Sequence, residues 1–401
     1  VINLDASATQ PVRPQVLETI LPLFTQAFGN PASHHEAGEE ALRALDWGRA
    51  LAAEALGTRP SRVVFTSGGT ESNALAMHGS LLARPRGRHV LISALEHPSV
   101  ASTAAQLASW HGAEVEVVPV GRSGVVDPGD VAARLRPDTT LVAMMAVNNE
   151  VGTIQPVREI AALTQAVGAH LHVDAVQAGS WMDLVPLMHA ADTLSVSGHK
   201  LGGVKGAGLL GLGRGVSLVP FQDGGGQEDG LRSGTVNVPG AVSTALAMTL
   251  ARADALAAAA LDSMDVSGPG EAEALCGPRP GDRLAAAIVS RLGEAGVPVQ
   301  LTGDPVRRVQ GIVSLIFPGL HAEAVLLELG RRGVLASSGS ACSAGSTEPS
   351  AVLTAMGYPG AEALGALRLS FAPHTTAADL DTAADAVVES VLAVTRMGLT
   401  S

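Results

Sequence analysis

From residue 36 to about 215 the apolar positions alternate between two rhythms. EAGEEALRALDWGRALAAEAL (36–56) repeats them every three to four residues, which predicts a helix with one buried face, and Gly57 stops it. RVVFT (62–66) is a short apolar run rich in β-branched residues and predicts a buried strand. SGGTESNALAMHGSLLA then opens as a turn and continues as a helix. The same alternation gives strands at HVLIS (89–93), VEVVPV (115–120), TLVAMMAV (140–147), HLHVD (170–174), TLSVS (193–197) and 207–212, with helices near 98–110, 128–135 and 156–167. Short apolar strands separated by amphipathic helices predict an α/β fold, a mostly parallel sheet covered by helices on both faces.

The alternation breaks near residue 240. A long Ala-rich helix is expected over 241–261, and Arg252 and Asp254 inside it argue against a membrane span. The segment 263–281, which contains Cys276, is rich in Gly, Pro and acid and reads as a linker or insertion. A helix from 282, the strand-like IVSLIF (312–317), a helix at 321–332 and a C-terminal helix predict a smaller α+β unit. The chain shows no internal repeat.

Composition narrows the function. With 26 Lys and Arg against 38 Asp and Glu the net charge is −12 over 401 residues, which weighs against sequence-independent nucleic-acid binding and against docking on anionic membrane. The opening VINLDASATQ has neither a basic nor an apolar leader region, so no secretory signal is expected. Cys276 and Cys342 are the only cysteines, too few for a disulfide framework, and a reducing, cytoplasmic setting is expected. Of the 26 basic residues, 24 are Arg and only Lys200 and Lys205 are Lys. Arg cannot lose its proton and attack a carbonyl, whereas Lys can, so the two survivors suggest a Schiff-base lysine.

In an α/β sheet ligands bind beyond the carboxyl ends of the strands, and polar clusters fall at those ends here. Ser67-Gly68-Gly69-Thr70 follows one strand and opens a helix, an arrangement that offers backbone N–H groups to an anion, though it equally suits an ordinary helix cap. Glu96-His97-Pro98 and Asn148-Asn149-Glu150 follow two others. His170, His172 and Asp174 share one strand face; a metal site would need a more open geometry than one strand supplies, and no metal is expected. Asp174 reads instead as a strand-tip ligand residue, with Gln177 just beyond it. Gly206-Ala-Gly208-Leu-Leu-Gly211 fits G-x-G-x-x-G but is followed by no helix, so it is not read as a dinucleotide motif. Cys342 lies among Ser, Gly and Ala rather than in an apolar core, which points to a reactive thiol.

Together these stretches resemble the cysteine desulfurases, a branch of the class V, fold-type I pyridoxal-phosphate (PLP) enzymes. The resemblance rests on LDASATQP (4–11), GNPASHHEAG (29–38), VVFTSGGTESN (63–73), EHPSV (96–100), VNNEVGTIQP (147–156), HVDAVQ (172–177), SGHKLGGVKGAG (197–208), GGGQE (224–228), RSGT (232–235), SSGSACSAGSTEPS (337–350) and LRLS (367–370). The SGSAC stretch resembles the long-loop subgroup typified by NifS and IscS-type enzymes. The resemblance implies that Lys200 holds PLP covalently, that Asp174 pairs with its pyridine nitrogen, that His97 stacks on the ring and moves protons, and that Gln177 bonds the ring oxygen. It further implies a phosphate site of Gly69, Thr70, Ser197 and His199, with Thr235 reaching across from a second subunit of a homodimer. Asn149 and Arg368 would bind the carboxylate of L-cysteine, and Cys342 would take its sulfur as a persulfide for a sulfur-acceptor protein, in iron–sulfur cluster assembly, tRNA thiolation or another sulfur-modification pathway. It implies a large domain over 14–255 and a small one combining 1–13 with 256–401. Ala6 and Gln10 depart from the family pattern, which has an aromatic or Asn at the first and Thr at the second. Two rivals stand beside this reading: another class V PLP enzyme, such as an aminotransferase or selenocysteine lyase, and a protein that only relays persulfide sulfur or docks partners.

Overall fold

The computed structural model describes residues 1–83, 86–263, 279–339 and 349–397. Its strands, in chain order, are β1 (Ile2–Asn3), β2 (Val63–Thr66), β3 (His89–Ser93), β4 (Glu114–Val118), β5 (Thr139–Met145), β6 (His170–Asp174), β7 (Thr193–Ser197), β8 (Gly208–Leu212), β9 (Gln300–Leu301), β10 (Ile312–Ile316), β11 (Val334–Leu335), β12 (Ser337–Ser338) and β13 (Ala366–Ser370). Seven of them form the main sheet in the order β2-β8-β7-β6-β5-β3-β4. Only β8 runs against its neighbours β2 and β7, so the remaining strands all point their carboxyl ends to one edge. Every residue of β5, β6, β7 and β8 is buried, as expected of strands covered on both faces.

Local chemistry sets the helix limits. The helix Glu36–Leu56 begins where His35 Nδ1 accepts from Gly38 N at 3.2 Å and ends at Gly57 with φ +63°, a left-handed position that suits glycine. Pro98 opens the helix Pro98–His111, where its missing N–H costs nothing, and Gly112 closes it in the same left-handed way. The helix Val238–Ser263 lies along Glu36–Leu56 and buries Val242, Ala245, Met248 and Ala251. Within it, Val238–Ala259 is the one described stretch long and apolar enough to cross a membrane, but half of that stretch is buried inside the protein.

A second sheet, β12-β13-β10-β9, is antiparallel and stacks against the helices Pro280–Glu294, Ala322–Arg331 and Ala377–Arg396. Its core includes Leu4, Val313, Phe317, Leu367 and Val387, separate from the core of the main sheet. Trp181 packs on both cores and meets Phe371 edge-on, with ring centroids 5.7 Å apart. Gly311 makes this seam close, since a Cβ there would lie 2.2 Å from the Trp181 ring. The N-terminal strand β1 pairs with β11, and Ser370 N donates to Leu4 O at 2.7 Å, so the first residues belong to the second sheet's side of the molecule. The helix Val185–Ala190 and the short helix Pro14–Ile20 fall where no sequence periodicity is long enough to predict them. As the sequence indicates, no helix follows the Gly206–Gly211 stretch, whose second half is strand β8.

Candidate active site

The carboxyl ends of β2, β3, β5, β6 and β7 open into a cavity of about 320 Å³. Gly69, Thr70, His97, Asn149, Asp174, Gln177, Ser197, His199, Lys200 and Arg368 all line it, together with Ser7, Ala8, Asn73 and Ser99. Residues as far apart in the chain as Ser7 and Arg368 are thus brought to one place. Thr235 is not among them. It lines a second hollow of about 160 Å³ with Thr66, Ser67, Glu228 and Arg232. Cys342 and Cys276 lie outside the described residues.

One end of the cavity is the start of the helix Gly69–Ala83, so Thr70 sits in its first turn. Gly68 has φ +151°, and a Cβ on Gly69 would lie 2.7 Å from Val176 Cγ2, so both positions keep the backbone N–H groups bare. Ser197, at the end of β7, borders the same glycines, and a helix start ringed by hydroxyls is a fitting seat for a phosphate. His199 beside it bonds Thr9 Oγ1 through Nδ1 at 3.1 Å; burial, followed by the charges of Lys200 and Lys205, pulls its pKa down to about 4, so its imidazole is neutral.

The middle of the cavity holds Asp174, at the tip of β6. Its Oδ1 accepts from Val176 N at 3.0 Å and its Oδ2 from Asn73 Nδ2 at 2.8 Å. Asn73 is the hub of a buried network. The same Nδ2 donates to Ser99 Oγ at 2.8 Å, and Asn73 Oδ1 faces His172 Nε2 at 2.9 Å. His172 Nδ1 lies 3.0 Å from Thr193 Oγ1, which His170 Nε2 also approaches at 2.9 Å. His172 is fully buried and burial drives its pKa to about 3, so it is a neutral donor to Asn73. The two histidines on the β6 face therefore serve hydrogen bonds that reach Asp174 through Asn73. Ser99 continues the network to His97, whose Nδ1 accepts from Ser99 N at 3.1 Å and lies 2.8 Å from Ser99 Oγ. That contact leaves the His97 proton on Nε2. Burial lowers the His97 pKa, partly opposed by Asp174 and reinforced by Lys200.

Lys200 ends the turn Gly198–Lys200, and its Nζ donates to the carbonyls of Ser7 and, at 2.9 Å, Ala8. Gln177 Nε2 reaches the Ser7 carbonyl as well, at 3.0 Å. Gln10, one of the residues that departs from the family pattern, donates through Nε2 to Lys200 O at 2.5 Å and to Ser180 Oγ at 3.3 Å, so it anchors the lysine from behind. Arg368 comes from β13 of the second sheet and is 2% exposed. It donates through Nη1 to Asn149 O at 3.1 Å and through Nη2 to Asp5 Oδ1 at 2.9 Å, while its buried Nε has no partner among the described residues. An arginine fork with a donor still open is suited to a carboxylate.

Sequence reasoning brought no role to Asn73, Ser99, Asp5 or Glu96. Asn73 stands four residues after Gly69 on one helix face, the available signal. Glu96 is buried, accepts from Ser93 Oγ at 2.5 Å and Met145 N at 3.0 Å, and has its pKa raised to about 8, chiefly by burial.

The donor set fits PLP: a glycine-lined helix start, a carboxylate held by two donors, an imidazole, and a lysine whose amine lies in the cavity. Comparison with known proteins agrees with this chemistry. The profile of the aminotransferase class-V family matches residues 2–265 and 279–382. The cysteine desulfurase IscS of Methanosarcina thermophila is 38% identical over 394 residues, covering 97% of this chain and 92% of that protein. Among solved structures, a NifS-like protein superposes with a TM-score of 0.84 at 32% identity, covering 98% of this chain and 99% of its own. SspA in complex with cysteine superposes with a TM-score of 0.76, also at 32% identity, over 94% of this chain and 100% of its own.

Proposed function

This chain belongs to the aminotransferase class-V family and is a cysteine desulfurase, and from that premise we propose how its own residues bind the cofactor and divide the work. The family's enzymes use PLP, and the observation that carries the reading is that Lys200, Asp174, His97 and Arg368, from four different elements, line one cavity. Lys200 is the covalent anchor, with Ser197, His199, Gly69 and Thr70 around the phosphate. Bound PLP supplies an electron-accepting ring. Asp174, fixed by Asn73 and Val176, would keep a proton on the ring nitrogen, and Gln177 would donate to the ring oxygen. His97 would lie against the ring and move protons at Nε2, the nitrogen that Ser99 leaves protonated.

Asn149 and Arg368 take the carboxylate of L-cysteine. Asp5 offsets part of the Arg368 charge and aims its fork. Cys342 accepts the substrate sulfur as a persulfide, and the product leaves as L-alanine. A sulfur-acceptor protein then collects that sulfur. Thr235, set apart from its own chain's cavity, serves the neighbour's phosphate in a homodimer. The protein works in the cytoplasm. Residues 14–255 form the large domain, and 1–13 with 256–401 the small one, a division supported by the pairing of β1 with β11 and by the two separate cores.

Borohydride reduction followed by peptide mapping tests the site. The pyridoxyl group is expected on Lys200, and its recovery on Lys205 would refute the assignment. Cys342→Ala is expected to retain the cofactor's absorbance yet release no sulfide, whereas Cys276→Ala turns over normally.

A further inference from the structure

The turn that presents Asn149 to the cavity also reaches the chain on both sides of the cysteine-bearing segment 340–348. Glu150 is the residue that makes the connection. It is 8% exposed, and its Oε2 accepts from Ser350 Oγ at 2.5 Å. The Ser350 oxygen accepts in turn from Leu353 N at 3.1 Å, as the cap of the helix Ala351–Ala355. On the other side of the segment, a Cβ on Gly339 would stand 3.3 Å from Glu150 Oε2 and 3.4 Å from Ser350 Cβ. The Glu150 carboxyl is therefore packed between residue 339 and residue 350. Its backbone is equally fixed. Glu150 N donates to Asn148 Oδ1 at 2.9 Å, and the neighbouring Asn149 O accepts from Arg368 Nη1.

Burying a carboxyl is costly unless it is hydrogen-bonded, and an apolar residue could fill this space without that cost. Burial raises the Glu150 pKa to about 7, with Ser350 and Arg368 opposing the rise. The polar group thus stands where it joins two parts of the molecule: the turn that contacts Arg368 and the ends of the segment that carries Cys342.

We propose that Glu150 is a positioning residue for sulfur transfer, holding Ser350, and through it the base of the cysteine-bearing segment, in register with Asn149 and Arg368. The inference rests on the reading of Cys342 as the sulfur acceptor. Misplacement of a reacting group by about 1 Å costs on the order of a hundredfold in rate, so loss of the tether should appear in transfer and leave ligand binding intact.

The test uses the holoenzyme and two readouts: persulfide formed in a single turnover with L-cysteine, detected by mass spectrometry, and binding of the product L-alanine, followed by cofactor absorbance. Glu150→Ala should slow persulfide formation by about ten- to a hundredfold and change alanine binding by less than about threefold. Ser350→Asp keeps an oxygen for the Leu353 cap but sets a carboxylate against Glu150, and should show the same loss. Combining Ser350→Asp with Glu150→Gln restores a donor–acceptor pair and should recover most of the rate. Retained alanine binding in each single variant shows that it is folded. Wild-type transfer in Glu150→Ala, failure of the double variant to recover, or weakened alanine binding that accounts for the slow transfer would each overturn the proposal. A Cys342→Ala control that still accumulates persulfide would instead overturn the acceptor assignment on which it rests.

Discussion

The two ends of the cavity are built by different means. Around Asp174, the partners come from the main sheet and the helices packed on it: Asn73, Ser99, His172 and Thr193 close a buried network with consistent donors and acceptors. Around Arg368, the interacting groups come from three separate places: Asp5 from the N-terminal segment, Asn149 from the turn after β5, and the arginine itself from the second sheet. The first end is a preorganised electrostatic wall inside one core. The second is a junction between two cores, and it exists only when both are assembled. On the proposed reading, the Asp174 end suits a cofactor that needs a fixed charge distribution, and the Arg368 end suits a group that must admit and release a carboxylate.

This contrast can be broken most severely at Asn73. Asn73→Ala strips partners from Asp174, His172 and Ser99 at once, and should cost about 3 kcal/mol of folding stability. Denaturant melts should show that loss, together with reduced cofactor retention. An effect confined to KM for cysteine would contradict the division between the two ends. Arg368→Lys strikes the other end. It replaces a planar fork by a point charge and should cost about 2 kcal/mol, roughly thirtyfold in kcat/KM, with cofactor content unchanged.

Glu96 sharpens the comparison through pH. Its pKa rises from 4.5 to about 8 in the folded chain, so between those values the folded state keeps a proton that the unfolded state has lost. Stability from this group is fullest below pH 4.5 and falls as pH rises towards 8. Glu96→Gln removes that slope, and thermal melts should show the variant gaining on the parent from pH 6 to pH 9. A constant difference in Tm would place the titration elsewhere. The smallest effect is expected at Asp5, whose side chain is 31% exposed. Asp5→Asn keeps an acceptor for Arg368 but removes a negative charge beside the site proposed for the substrate carboxylate. KM for cysteine should fall by about two- to threefold at low salt, and the difference should shrink as salt screens it.

The alternating sequence rhythms determined the architecture because a strand buried on both faces must be apolar throughout and a covering helix must show one apolar face. HVLIS, HLHVD and TLSVS accordingly coincide with β3, β6 and β7. The strand-end residues were legible for a related reason. In a parallel sheet the carboxyl ends share one edge, so His97, Asp174 and Lys200 could be expected to meet without knowledge of the strand order. Tertiary structure alone decided the rest. No local pattern announces that Asn73 bridges Asp174 and His172, because a buried amide hub is defined by neighbours 26 to 101 positions away. The Arg368–Asp5 pair spans 363 positions, and the Glu150–Ser350 tether spans 200. Such contacts depend on how two cores dock, and the docked cores meet in patches such as Trp181 against Gly311 and Phe371 or Met145 and Leu95 beside Ile316 and Leu353, whose shape complementarity leaves no periodic trace in the chain.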